Sequence, residues 1–331
     1  MAEINEMQPI KNKKDLNNGL KLISENEQFY SLALFDILGF SDFVESNGNK
    51  VVLNLYEKLL NLVNKQKSSF KNNKNIVGSV VPAPISPDWK ENLLIADANG
   101  FINVCHFSDT FIIYVNYLLG KRPFSLRDSI YEPYPLLLGE LGEKQYTIFY
   151  QEHRIYLSFL QTCMDFFCQA IVSGIPMRGC ISSGLATMNP YKSIFFGQPI
   201  VEAARGETVR NFLGISFGKS FNNHHPVYND YFIPYYDDMK EEKSAYLSPM
   251  LLDWARYWRK TPEFNKYNFY DCISKMNNKP SFSKYYENTV KYFDFSQKHA
   301  NWSEEINRDG INDILTYYGK TKEWFNAIKK T

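Results

Sequence analysis

Residues 31–43 read SLALFDILGFSDF, and residues 101–115 read FINVCHFSDTFIIYV. In each, one aspartate, Asp36 or Asp109, interrupts a run of aliphatic and aromatic residues of the kind that builds a core strand. A lone carboxylate there is costly to bury unless a cation or several hydrogen-bond donors meet it. A divalent metal meets that need, because Mg²⁺ and Mn²⁺ favour oxygen ligands such as carboxylates, backbone carbonyls and phosphate oxygens. The pairing therefore points to a two-metal site for phosphoryl chemistry. Plainer readings exist for each residue alone: Asp36 could cap a following helix, and Asp109 could belong to a hairpin turn, where Ser-Asp is ordinary.

Composition bounds the rest. A chain of 331 residues with 44% hydrophobic content can bury a sizeable core. Lys and Arg total 37 against 36 for Asp and Glu, so no global field draws the chain to nucleic acid or to an anionic membrane. An anionic ligand must be held locally. The five cysteines, Cys105, Cys163, Cys168, Cys180 and Cys272, show neither a C-x-x-C pair nor a His-spaced zinc pattern, and read as reduced thiols. The polar start, MAEINEMQPIKNKKDLNNG, lacks the apolar segment of a secretion signal, so the expected location is the cytoplasm. Tyr156 to Ile175 is apolar but carries Gln161, Asp165 and Gln169, which suits a core helix and not membrane insertion. The adjacent His224 and His225 would point to opposite sides of an extended segment and read as loop residues.

A polar lead-in over 1–28 precedes the first strand. Val52, Leu55, Leu59, Leu62 and Val63 recur at helical spacing. Insertions are expected near 68–98, where Gly78 to Asp88 carries three prolines, and over 119–154. Phe101 to Phe107 and Phe111 to Val115 flank Ser108-Asp109-Thr110 as a β-hairpin. A helix from Tyr156 to Ser173 should stop at Gly174, with Pro176 beyond. Strands are expected at Met177–Ser183, Ile194–Phe196 and Leu213–Phe217, with a Gly-led helix carrying Arg205. This order predicts an α+β fold: a ferredoxin-like antiparallel sheet with helices on one face, spanning 29–225. Helical periodicity over Ser248–Lys260, Ser283–Lys298 and Asn301–Lys329 predicts an aromatic-rich helical C-terminal subdomain over 226–331, with Asn301 and Glu304 spaced as a capping pair.

Four blocks stand in order along this core: FDILGF at 35–40, FSDTF at 107–111, MRGCISSG at 177–184 and FGQPIVEAAR at 196–205. Together they resemble the class III nucleotidyl cyclases. The resemblance implies that Asp36 and Asp109, with the carbonyl of Ile37, hold two divalent metal ions, Mg or Mn. It implies that Arg205 stabilises the transition state and that Arg178 contacts the triphosphate. The amides of Leu38, Gly39 and Phe40 lie where a loop entering a helix would cradle phosphates, and Lys219 is a further triphosphate candidate. Taken alone, either arginine could equally be a surface salt bridge. The family also implies a homodimer whose sites lie at the interface, the aspartates from one protomer and the helix arginine from the other.

Two departures shape the expected substrate. At the positions where purine cyclases of this class choose their base, register places Cys105 and Ile194, and the apolar Ile194 offers no hydrogen bond to a base edge. Where the family commonly has Asn four residues before the helix arginine, this chain has Val201. With its insertions and C-terminal extension, the chain resembles the pyrimidine cyclases of bacterial Pycsar anti-phage defence. That resemblance implies a cyclase acting on UTP or CTP, whose cyclic UMP or cyclic CMP activates a separate effector. The competing readings are an adenylate or guanylate cyclase and a catalytically silent nucleotide-binding module.

Overall fold

The computed structural model describes residues 28–69, 102–116, 156–190, 192–220, 231–240, 247–277, 280–306 and 314–330. The lead-in up to residue 27, the insertions beyond residue 69 and over 119–154, and the His224–His225 pair lie outside them. In chain order, the first half comprises β1 (Gln28–Ile37), α1 (Phe40–Asn47), α2 (Asn49–Ser69), β2 (Ile102–Phe107), β3 (Thr110–Asn116) and a helix α3 over 156–172. It continues through β4 (Met177–Asn189), β5 (Ile194–Gly197), α4 (Gln198–Glu207) and β6 (Ile215–Gly218). Beyond these lie β7 (Phe232–Pro234), β8 (Leu247–Leu252), α5 (Trp254–Lys260), α6 (Pro262–Asn265), α7 (Phe269–Met276), α8 (Ser283–Lys298), α9 (Trp302–Glu305) and α10 (Ile314–Ile328).

The protein is a mixed α and β fold on one eight-stranded sheet, in keeping with the expected α+β class. β1 is central because it is apolar on both sides, and it pairs antiparallel with β3 and with β4. Together with the β2–β3 hairpin this gives the order β2-β3-β1-β4, all antiparallel, threaded by α2 and α3. The helix α3 ends as its sequence predicts. Gly174 takes a left-handed φ of 74°, its N–H donates to the Ile171 carbonyl at 3.0 Å, and the Ile175 N–H donates to Ala170 at 2.9 Å. That is a Schellman cap, which needs a residue tolerant of positive φ at this point.

Several expectations are corrected. The sheet is mixed: β6 runs parallel to β4, with Gly179 opposite Ile215, because α4 forms the crossover that returns the chain in the same direction. The helices occupy both faces of the sheet. Ala33, Phe35 and Ile37 pack with Val52, Leu59, Phe159 and Phe166 of α2 and α3, whereas Leu32, Leu34 and Cys180 pack with Ala203 of α4 on the other side. The sheet also continues past residue 225, since β8 pairs with β6 and β7 with β8. Ser248–Lys260 is thus no single helix. A short apolar run such as Leu247–Leu252 suits either period, and strand pairing on both sides decides it. Asp253 then caps α5, its carboxylate accepting the Arg256 N–H at 3.1 Å. At Asn301 the expected side-chain cap is replaced by a backbone bond, Glu304 N–H to the Asn301 carbonyl at 2.9 Å.

Packing is continuous from β1 to the C-terminal helices, with Trp254, Trp258, Trp302 and Phe325 in the same apolar cluster as Phe35. All five cysteines are unpaired. Among the described residues no helix is long and apolar enough to cross a membrane.

Candidate functional site

Asp36 is the penultimate residue of β1 and lies opposite Thr110 of β3 and Arg178 of β4. The two-residue turn Ser108–Asp109 joins β2 to β3, so Asp109 stands immediately beside the end of β1. The Ile37 N–H donates to the Asp109 carbonyl at 3.2 Å, which ties the two aspartate-bearing segments together. Both carboxylates are half-buried. Burial pushes the Asp36 carboxyl above its ordinary value, Arg178 pulls it back down, and the neighbouring Asp109 charge raises it again. The structure therefore brings together the two carboxylates and the Ile37 backbone, as expected from the sequence.

A positive charge stands beside them. Arg178, buried apart from 9% of its surface, places Nη2 3.2 Å from Asp36 Oδ2 and 3.0 Å from Glu207 Oε2 at the end of α4. Its guanidinium also lies 5.7 Å from the centre of the Tyr285 ring on α8, within cation–π reach. Glu207 and Tyr285 are contributions that sequence reading missed. The only local sign of Glu207 is its place two residues after Arg205, and Tyr285 comes from the far C-terminal region.

The loop after β1 is tightly held. The Leu38 N–H donates to the Pro176 carbonyl at 2.8 Å, so that amide is engaged by the protein instead of cradling a phosphate. Gly39 opens α1 in the left-handed conformation, φ 68°, and the Phe43 N–H returns to its carbonyl at 3.0 Å. The amides of Gly39 and Phe40 thus mark the start of α1, the end of a helix that favours anions. A Cβ on Gly39 would fall 2.7 Å from the Phe282 ring, so the C-terminal region presses directly on this loop.

The remaining candidates sit apart. Arg205 is exposed on α4. It lies two residues before Glu207, and helix positions so spaced point to different sides, so it faces away from the Asp36–Arg178 pair. Val201 shares its side one turn earlier and is 48% exposed. Lys219 is exposed in the turn after β6, where the next residue, Ser220, donates its N–H to Glu202 at 2.7 Å. Cys105 is half-buried on β2, and burial pushes its thiol up to about 12, which keeps it neutral. Ile194, 42% exposed, opens β5. Farther along the same two strands, Phe107 of β2 meets Phe195 of β5 with ring centres 5.3 Å apart.

The donor set fits a hard divalent cation. The Asp109 charge raises the cost of ionising the half-buried Asp36, and a cation between them would relieve it. Among the described residues no group of three or more His, Cys, Asp or Glu is arranged to hold a metal. A bound ion would accordingly draw its other ligands from the Ile37 carbonyl, water and substrate oxygens. No protein-family model and no curated protein sequence matches the chain.

Proposed function

We propose that this protein is a nucleotidyl cyclase of the class III kind, acting on UTP or CTP to release pyrophosphate and a 3′,5′-cyclic monophosphate. The observation that carries the reading is the meeting of Asp36 and Asp109 at the ends of adjacent strands with the Arg178 guanidinium beside them. In the reaction the ribose 3′-oxygen attacks the α-phosphorus, its proton leaves, and the bond to the β-phosphate oxygen breaks. Two bound Mg²⁺ or Mn²⁺ ions would supply Lewis acidity, favouring the 3′-alkoxide and clamping the α-phosphate.

The chain's own groups do the rest. Asp36, Asp109 and the Ile37 carbonyl provide the negative cradle. Arg178 is poised to exchange its bond to Asp36 for triphosphate oxygens, because Glu207 retains the guanidinium when Asp36 turns to a cation. The Gly39 and Phe40 amides favour phosphate at the start of α1, and Lys219 offers a further charge. Arg205 faces away from its own Asp36 and so serves a site completed by a second copy of the chain, where it meets charge developing in the transition state. The apolar Ile194 offers no donor or acceptor to fix a purine edge, which supports a pyrimidine. The cyclic product would act on a separate effector in anti-phage signalling.

The test incubates purified protein with ATP, GTP, CTP and UTP separately, with Mg²⁺ or Mn²⁺, and identifies products by mass spectrometry beside Asp109→Ala. Cyclic UMP or cyclic CMP, lost in the variant, is the expected result. A cyclic purine would transfer the reading to an adenylate or guanylate cyclase. Nucleotide binding without any product would leave a silent binding module.

A further inference from the structure

The turn that presents Asp109 is held from an unexpected direction. Tyr56, on the inner face of α2 and only 9% exposed, donates its phenolic O–H to the Ser108 carbonyl at 2.9 Å. Ser108 takes a left-handed φ of 51°, a conformation that a serine adopts reluctantly and that needs support from its surroundings. The Tyr56 ring is fixed in turn. It packs edge-on against Phe111 at 4.8 Å, just past the turn on β3, against His106 at 6.3 Å on β2, and beside Phe40 of α1 at 6.5 Å. One side chain therefore touches both strands of the hairpin and the first residue of the helix that follows Asp36.

We infer that Tyr56 is the positioning residue of the candidate metal site, locking the Ser108–Asp109 turn so that the Asp109 carboxylate stays beside Asp36. The role rests on the two-metal reading for its consequence but not for its geometry. The phenol is suited to it: burial, followed by the charges of Asp109 and Asp36, pushes its pKa up to about 12, so it remains a donor and adds no third negative charge. A tyrosine placed only to fill the core would need its ring and not its hydroxyl.

The full-length protein, Tyr56→Phe, Ser108→Gly and the double variant separate these roles. Tyr56→Phe keeps the ring and removes one hydrogen bond, and hydrogen exchange at the Asp109 and Thr110 amides should quicken about three- to tenfold while the β1–β4 amides hold. Glycine adopts positive φ without strain, so Ser108→Gly in the Tyr56→Phe background should restore much of the protection. Mn²⁺ affinity, read by electron paramagnetic resonance without nucleotide, should fall by a similar factor in Tyr56→Phe and recover in the double variant. Unchanged exchange at the turn, or an increase spread evenly over the sheet, would overturn the inference. So would a wild-type Mn²⁺ site that Tyr56→Phe leaves intact. If wild type and Asp109→Ala bind Mn²⁺ equally poorly, the two-metal reading fails, and the exchange data still decide whether Tyr56 sets the turn.

Discussion

Arg178 holds two carboxylates on one nitrogen, and its removal shows how much of the site's order is electrostatic. In Arg178→Ala, Asp36 and Glu207 would lose the charge that compensates them, and breaking a buried pair from one side costs about 3–5 kcal/mol. Chemical denaturation should register a loss of that order. Adding Glu207→Gln should recover part of it, since one uncompensated charge then disappears. A second prediction concerns Asp165 of α3, buried and accepting the Tyr257 hydroxyl at 2.6 Å. Burial pushes this carboxyl up to about 6, against the lowering effect of the Tyr257 bond. Because the folded value lies above the unfolded one, the protonated form is favoured in the native state. Its contribution is complete below the unfolded pKa and fades as pH rises through about 6. Thermal melts should therefore show wild type losing stability relative to Asp165→Asn as pH rises, by about 3 kcal/mol in all between roughly pH 3 and pH 7.5, of which about 1–1.5 kcal/mol falls between pH 5 and pH 7.5. Parallel pH profiles for the two proteins would refute it.

At the scale of elements, the loop between β1 and α1 is where two regions of sequence meet. Gly39 needs its left-handed backbone, and the Phe282 ring fills the space a side chain would take. Gly39→Ala should thus be destabilising by about 1–2 kcal/mol from backbone strain alone, with a further steric part from the ring. Phe282→Ala in the same protein should remove the steric part and leave the strain, so a comparison of single and double variants by denaturation separates them. From sequence Gly39 was legible as part of a loop entering a helix; its contact with Phe282 was not, because nothing local links residues so distant along the chain. The same division holds elsewhere. Ser283–Lys298 is helical as expected because its apolar residues keep one period for four turns and more. Leu247–Leu252 is too short to declare a period, and its partners on β6 and β7 decide its fate. The Asp36–Asp109 meeting was legible since each carboxylate breaks an apolar run, one at the end of a strand and one at a hairpin turn, while Glu207, Tyr56 and Tyr285 look in sequence like ordinary helix residues.

At the scale of the molecule, the sheet leaves one group of candidates unassembled. The β4–β5 pairing, with Thr187 opposite Phe196, sets Leu185, Ile194 and Phe196 on one side of the ribbon, each between 42% and 60% exposed. The neighbouring helix α4 shows Val201 and Arg205 to solvent. Exposed apolar residues gathered beside an arginine suit contact with another protein surface. Under the proposed mechanism that surface is a second copy, since Arg205 faces away from its own Asp36 and can complete only a partner's site. Mixed dimers make the geometry testable. Asp109→Ala and Arg205→Ala should each be inactive as pure preparations, because every site lacks a metal ligand or the transition-state arginine. In mixed dimers the Asp109→Ala protomer supplies its intact Arg205 to the other protomer's intact aspartates, which rebuilds one of the two sites. With random exchange half of the dimers are mixed, and each carries one working site in two, so about one quarter of wild-type cyclase activity should return. Subunit exchange must be followed independently, for instance by fluorescence transfer between labelled protomers. Exchange without recovered activity would place Arg205 and the aspartates in the same chain's site, or outside the reaction altogether.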